Sequence, residues 1–207
     1  MHIAVLWCVL CRYIIRLYAV LKAESFFIQK QRLVKWQSLL ASASKNFSAL
    51  RNSGLIAPEF LVRLQDFSMD EAAGPFALGH SSKVYRGHYG HYEVAIKEVT
   101  LSAFQQESIV QFAREMYALS RLRHPGIVQL FGVCIDRSDR MFLISEFCPM
   151  TLSRAVMAAP SRWDNNKRAD VAIQIAATMA HVHSHGLLHR DLKPANVLLA
   201  KDGQCKL

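Results

Sequence analysis

Apolar residues recur along the chain in several different rhythms, and each rhythm predicts a different element. Residues 1–21 are mostly apolar: no charge interrupts Ile3 to Cys11, and Tyr13, Ile14, Ile15 and Leu17 to Leu21 follow. From Glu24 to Leu50, Phe27, Ile28, Leu33 (or Val34), Leu39 and Leu40 are spaced by turns and half-turns, which predicts helix up to a stop at Asn52-Ser53-Gly54. Pro58 to Leu64 suggests a short helix, and the polar stretch Gln65 to Gly74 reads as a linker. The rhythm then shortens. Tyr92 to Val99 alternates and predicts a strand, whereas Ile109, Phe112, Met116, Leu119 and Leu122 recur at threes and fours and predict a helix over 104–123. Asp136 to Arg140 is a polar turn before an apolar strand, Met141 to Phe147. Leu152 to Ala159 predicts a short helix closed by Pro160. A longer helix over about 167–185, capped by Asp164 and ended by Gly186, would bury Val171, Ile175, Thr178 (or Met179) and Val182. Val197 to Ala200 and Cys205 to Leu207, around Asp202-Gly203, predict a hairpin.

With 207 residues, 52% of them hydrophobic, the chain can bury the core of one domain and carry an extension. Its net charge is +9, and residues 1–70 hold nine Lys/Arg against four Asp/Glu, so the excess is denser there. No basic run of five or six residues and no nucleic-acid motif accompanies that charge, so nucleic acid is not expected as a partner. The five cysteines are odd in number and irregularly spaced, which argues against a disulfide framework and for reduced thiols in the cytosol. Cys8 and Cys11 have zinc-like spacing without a second ligand pair. The apolar stretch 1–21 is long enough to span a bilayer, but Arg12 and Arg16 fall near its middle. Each would cost roughly 2.5–3.5 kcal/mol there. Being four apart, they share a helical face, so an amphipathic helix on protein or membrane is expected first and a membrane anchor second.

Chemistry concentrates in His189-Arg190-Asp191-Leu192-Lys193-Pro194-Ala195-Asn196-Val197-Leu198-Leu199. A carboxylate, a cation and an amide lie within six residues and run into an apolar strand. The carboxylate can accept the proton of an attacking hydroxyl, the amide oxygen can hold a metal, and the lysine can neutralise charge between them. The stretch resembles the catalytic loop of eukaryotic protein kinases, H-R-D-x-x-x-x-N, with every signature position matched.

The same resemblance orders the residues upstream. Phe76 to Gly87 is similar to the glycine-rich loop G-x-G-x-x-G-x-V, but counting back from Val84 places Ala77, Gly79 and Ser82 at the glycine positions, so one glycine of three is kept. Val94-Ala95-Ile96-Lys97 matches the family's V-A-I-K, whose lysine holds the α- and β-phosphates. Glu115 matches the glutamate of the following helix, αC, that aims this lysine; Glu107 lies too early. His124-Pro125-Gly126-Ile127-Val128-Gln129-Leu130 points to the tyrosine-kinase-like (TKL) group of Ser/Thr kinases. The resemblance makes Ser145 a small gatekeeper and gives the adenine edge to backbone groups of Glu146 and Cys148. It sandwiches the adenine ring between Val84, Ala95 and Leu198, and assigns Leu119, Leu130 and His189 to the spine that links the lobes.

The fold implied is α+β, a two-lobed kinase domain with a complete N-lobe of five antiparallel strands plus αC, and the first part of the helical C-lobe. Residues 1–75 would be a helical extension and linker, 76–148 the N-lobe to the hinge, and 149–207 the C-lobe through the catalytic loop. The activity implied is transfer of the ATP γ-phosphoryl group to a Ser or Thr hydroxyl of a protein substrate, with ATP and Mg²⁺ as cofactors. Asp191 and Lys193 would be catalytic, and Asn196 would bind the metal. The family's D-F-G would come next after Leu207, so the match stops before it and little turnover is expected of this stretch alone. The alternatives are a pseudokinase scaffold and a membrane-anchored receptor-like kinase. Four histidines, His181, His183, His185 and His189, invite a metal reading, but helical positions two apart diverge by about 200°, so only His181 and His185 share a face.

Overall fold

The computed structural model describes residues 56–78, 82–100, 115–136 and 140–207. All lie in one compact unit, Leu39–Leu207. The expected helices within residues 1–50, Arg12 and Arg16, the Cys8–Cys11 pair and Gly79 lie outside the described residues. Among those described, no helix is long and apolar enough to cross a membrane.

A curled antiparallel sheet forms the first layer. Its strands are β1 Phe67–Met69, β2 Ala77–Leu78, β3 Ser82–Tyr89, β4 Tyr92–Thr100, β5 Leu130–Ile135 and β6 Arg140–Glu146, in the order β1-β3-β4-β6-β5, with β2 also on β3. β1 and β2 occupy one edge in succession: Met69 pairs with Gly87, and Ala77 with Val84. They amount to one interrupted edge strand, which reconciles six strands with the five expected. β1 falls inside the stretch read as a linker. Its three residues become a strand only through long-range pairing with residues 87–89.

The alternation in β4 does what its pattern requires. Val94 and Ile96 are fully buried and join Phe67, Cys134, Phe142 and Ile144 in the sheet's core. Ala95 and Lys97 project from the other face. Upstream, Val62 donates its N–H to the Val133 carbonyl at 3.0 Å, and Leu61 bridges Val133 in parallel, so this segment covers the β5 edge.

Residues 115–121 are helical (α1), and Met116 beneath them is fully buried. Beyond β6 come β7 Met150–Thr151, α2 Leu152–Ala158 and α3 Asn165–Ser184. Asp164 caps α3, its side chain accepting from the Lys167 N–H at 2.7 Å. The buried stripe is Val171, Ile175, Thr178, Met179 and Val182, and Gly186 takes φ +71° after the helix end. β8 Leu198–Leu199 and β9 Cys205–Lys206 form the expected hairpin, with β7 beside β8. A second core joins the layers: Leu122 and Ile127 meet Val182, with Leu119 and Leu207 packed alongside. Leu207 also donates its N–H to the Gly126 carbonyl at 2.8 Å and accepts from the Val128 N–H at 2.9 Å.

Candidate active site

Lys97 stands on β4 and Glu115 on α1, 18 residues apart. Nζ of Lys97 lies 2.6 Å from Oε2 of Glu115, with both side chains about one-third exposed. Glu115 therefore faces the strand lysine rather than solvent alone. The lysine is aimed, and part of its charge is left for a further anion on the exposed face.

The second half of the site is the loop between α3 and β8. Its backbone is constrained: Arg190 takes φ +68°, a left-handed conformation rare outside glycine. A 3₁₀ turn at Pro194–Asn196 follows, with the Asn196 N–H donating to the Lys193 carbonyl at 2.8 Å. The turn brings the three chemical groups together. Nδ2 of Asn196 donates to the backbone carbonyl and to Oδ2 of Asp191, each at 2.8 Å. Nζ of Lys193 lies 2.7 Å from the same Oδ2. Those bonds, first from Lys193 and then from Asn196, hold the Asp191 carboxyl below the usual carboxylate range. Asp191 is thus anionic at neutral pH and its side chain is 64% exposed, open to a hydroxyl. Because the Asn196 amide nitrogen is spent on Asp191, its oxygen remains the free acceptor. That hard oxygen suits Mg²⁺, which is held by few protein oxygens together with substrate phosphates. Among the described residues no cluster of three His, Cys, Asp or Glu could hold a metal by itself.

Around these groups stand the residues of the expected hinge. Ala95 pairs with Ser145, and Ser145 is buried. The Glu146 N–H donates to the Gln129 carbonyl at 2.9 Å, and its Oε2 lies 3.0 Å from Nζ of Lys206. Cys148 is buried, and that burial pushes its thiol up to about 11. Val84 pairs with Lys97, and Leu198 with Thr151; Val84, Ala95 and Leu198 are all half-buried. His189 is held mostly neutral by burial, although Asp191 opposes the shift, and its Nδ1 is buried without a hydrogen-bond partner.

Three groupings had no signal in the sequence. Lys206 reaches Glu146, and Lys201 reaches Glu93 across 108 positions. His124 stacks on His181 at 4.9 Å between ring centroids, and His181 packs on His185 at 4.4 Å. The shared face of His181 and His185 was legible from their spacing; His124 was not.

Known proteins match the stretch that holds these residues. The family model described as "Protein kinase domain" matches residues 76–207. The chain is 38% identical over 123 residues, 58% of its length, to "Kinase and exchange factor for Rac A" of Dictyostelium discoideum. It is 35% identical over 140 residues, 67% of its length, to "RasGEF domain-containing serine/threonine-protein kinase X" of the same organism. It is 31% identical over 147 residues, 70% of its length, to "Aurora kinase A-A" of Xenopus laevis. The matched stretch spans 9%, 14% and 35% of these three relatives.

Proposed function

The chain belongs to the protein kinase family, and from that premise we propose that it transfers the γ-phosphoryl group of ATP to Ser or Thr hydroxyls of a protein substrate. The observation that carries this reading is the presence in one compact unit of two complete pairs. Lys97 is held by Glu115 at 2.6 Å, and Asp191 by Asn196 at 2.8 Å. Lys97 binds the α- and β-phosphates. Asp191, kept anionic, orients the substrate hydroxyl and accepts its proton. Lys193, beside Asp191, offsets negative charge at the transferred group and favours Ser/Thr over Tyr. The free oxygen of Asn196 would hold Mg²⁺, which when bound neutralises phosphate charge. Backbone groups of Glu146 and Cys148 meet the adenine edge, Ser145 is the small gatekeeper, and Val84, Ala95 and Leu198 sandwich the ring.

Two further assignments go with it. His124-Pro125-Gly126-Ile127 supports the TKL group, and the relatives named as serine/threonine kinases support the hydroxyl specificity. Cys148 and Cys205 are buried free thiols, which supports a cytosolic setting for the domain. Phosphoamino-acid analysis after incubation of the protein with γ-labelled ATP and a generic Ser/Thr substrate tests the proposal. Weak label on Ser or Thr that disappears in Asp191→Asn is expected; label on Tyr, or label that survives the substitution, overturns it.

A non-catalytic scaffold is the second reading, and one observation favours it. Leu78 pairs with Lys83, so only four residues lie between the paired positions. Two of the three glycine positions, Ala77 and Ser82, are committed to strand pairing, with Val84 and Val99 respectively. Less backbone is left to approach phosphates. Nucleotide affinity separates the readings: a scaffold shows none that depends on Lys97.

A further inference from the structure

Glu93 stands near the start of β4, four residues before Lys97, and takes no part in the site described above. Its side chain is 17% exposed. One carboxylate oxygen lies 2.5 Å from Nζ of Lys201, and the other lies against the guanidinium of Arg86 on β3. Lys201 sits in the turn between β8 and β9, five residues beyond Asn196. Arg86 in turn lies 5.2 Å over the ring of the hinge residue Phe147, and that ring meets Phe76 edge-on at 5.5 Å. One carboxylate therefore ties two strands of the sheet to the hairpin that follows the catalytic loop.

We propose that Glu93 is a positioning residue: its ion pair with Lys201, backed by Arg86, is a latch that sets the separation between the strand carrying Lys97 and the loop carrying Asp191 and Asn196. The inference rests on the site reading given under Proposed function. Its mechanical basis is short on both sides. Glu93 and Lys97 lie on one strand, roughly 13 Å apart at the usual rise, so a pull on one is felt at the other. Lys201 lies two residues beyond β8, and β8 is fixed by pairing to β7 and β9. Both cations are mostly exposed, so the latch is open to screening by salt. A carboxylate kept below its ordinary range, chiefly by the Lys201 bond, agrees with a pair that is formed rather than incidental.

The readout is the Glu146 amide, which is bonded to the Gln129 carbonyl and adjoins Phe147, whose ring Arg86 covers. Hydrogen exchange on the 207-residue chain without nucleotide, in low salt, compares wild type with Lys201→Ala, Lys201→Arg and Glu93→Gln. Exchange at Glu146 should rise about two- to fivefold in Lys201→Ala, the range expected for one exposed ion pair. It should rise as much in Glu93→Gln and return to wild type in Lys201→Arg. About 1 M salt should bring wild type up to the level of Lys201→Ala. An unchanged Glu146 rate in Lys201→Ala overturns the latch. So does an equal rise at the α3 amides, which would mean general loss of stability. Because no nucleotide is needed, this failure is distinct from a failure of the phosphotransfer assay.

Discussion

Nζ of Lys97 and Oε2 of Glu115 meet at 2.6 Å although the one belongs to a strand and the other to a helix. The contact exists only if α1 is docked on the sheet, so it reports both the fold and the competence of the site. Glu115→Gln keeps the shape and removes the charge that aims Lys97. It should lower kcat/KM by roughly 10- to 100-fold, the scale of a positioning fault of about 1 Å. Steady-state phosphotransfer with varied ATP checks this. A loss that came only from a raised KM for the protein substrate would contradict the role.

Asp191 predicts a different signature. Its side chain is 64% exposed and its partners are local, so the core does not depend on it. Asp191→Asn should remove the proton acceptor and cut kcat by about 10²- to 10⁴-fold. The urea midpoint should stay unchanged, because exposed substitutions away from packing usually shift stability within about 0.5 kcal/mol. Parallel activity and urea titrations distinguish this from unfolding.

The parts of this molecule that were legible in the sequence are those set by local pattern. Val94 and Ile96 announced a buried strand face, Asp164 and Gly186 the ends of α3, and His189 to Asn196 a loop whose spacing is its chemistry. What was not legible depends on partners distant in the chain. Phe67-Ser68-Met69, flanked by Asp66 and Asp70, has too short an apolar pattern to read as a strand until residues 87–89 lie beside it. Glu93 and Lys201 give no periodic signal, since a charge on a strand face looks solvated until its partner is known.

Gly87 tests the β1 contact directly. A Cβ added there would collide with the Ser68 backbone carbonyl and with the Ile96 side chain. The carbonyl belongs to the paired strand and cannot move without breaking the pairing of Met69 with Gly87. Gly87→Ala should therefore cost about 1–3 kcal/mol, the usual range for overpacking. A urea midpoint lowered without a change in slope is the expected result, and an unchanged midpoint would show that β1 yields freely.

The histidines predict how stability changes with acidity. Burial lowers the pKa of His181, His183 and His189 from the ordinary value, and His185 and His124 push His181 the same way. Each is therefore held neutral in the folded chain, while the unfolded chain takes up protons below about pH 6.5. The unfolded state then binds more protons, so stability is full above about pH 6.5 and declines as the pH falls through the window down to the folded values. The lowered carboxylates Asp66, Glu93 and Asp191 lose their contribution only near and below the ordinary carboxylate range, so they do not act in that window. The urea midpoint should accordingly fall between pH 7.5 and pH 5.5. His181→Gln should fall less over the same interval, because it removes the member of the His124–His181–His185 stack whose Nε2 is buried without a partner. A midpoint that rises on acidification would mean that a charged imidazole is stabilised in the folded chain, which the stacked geometry opposes.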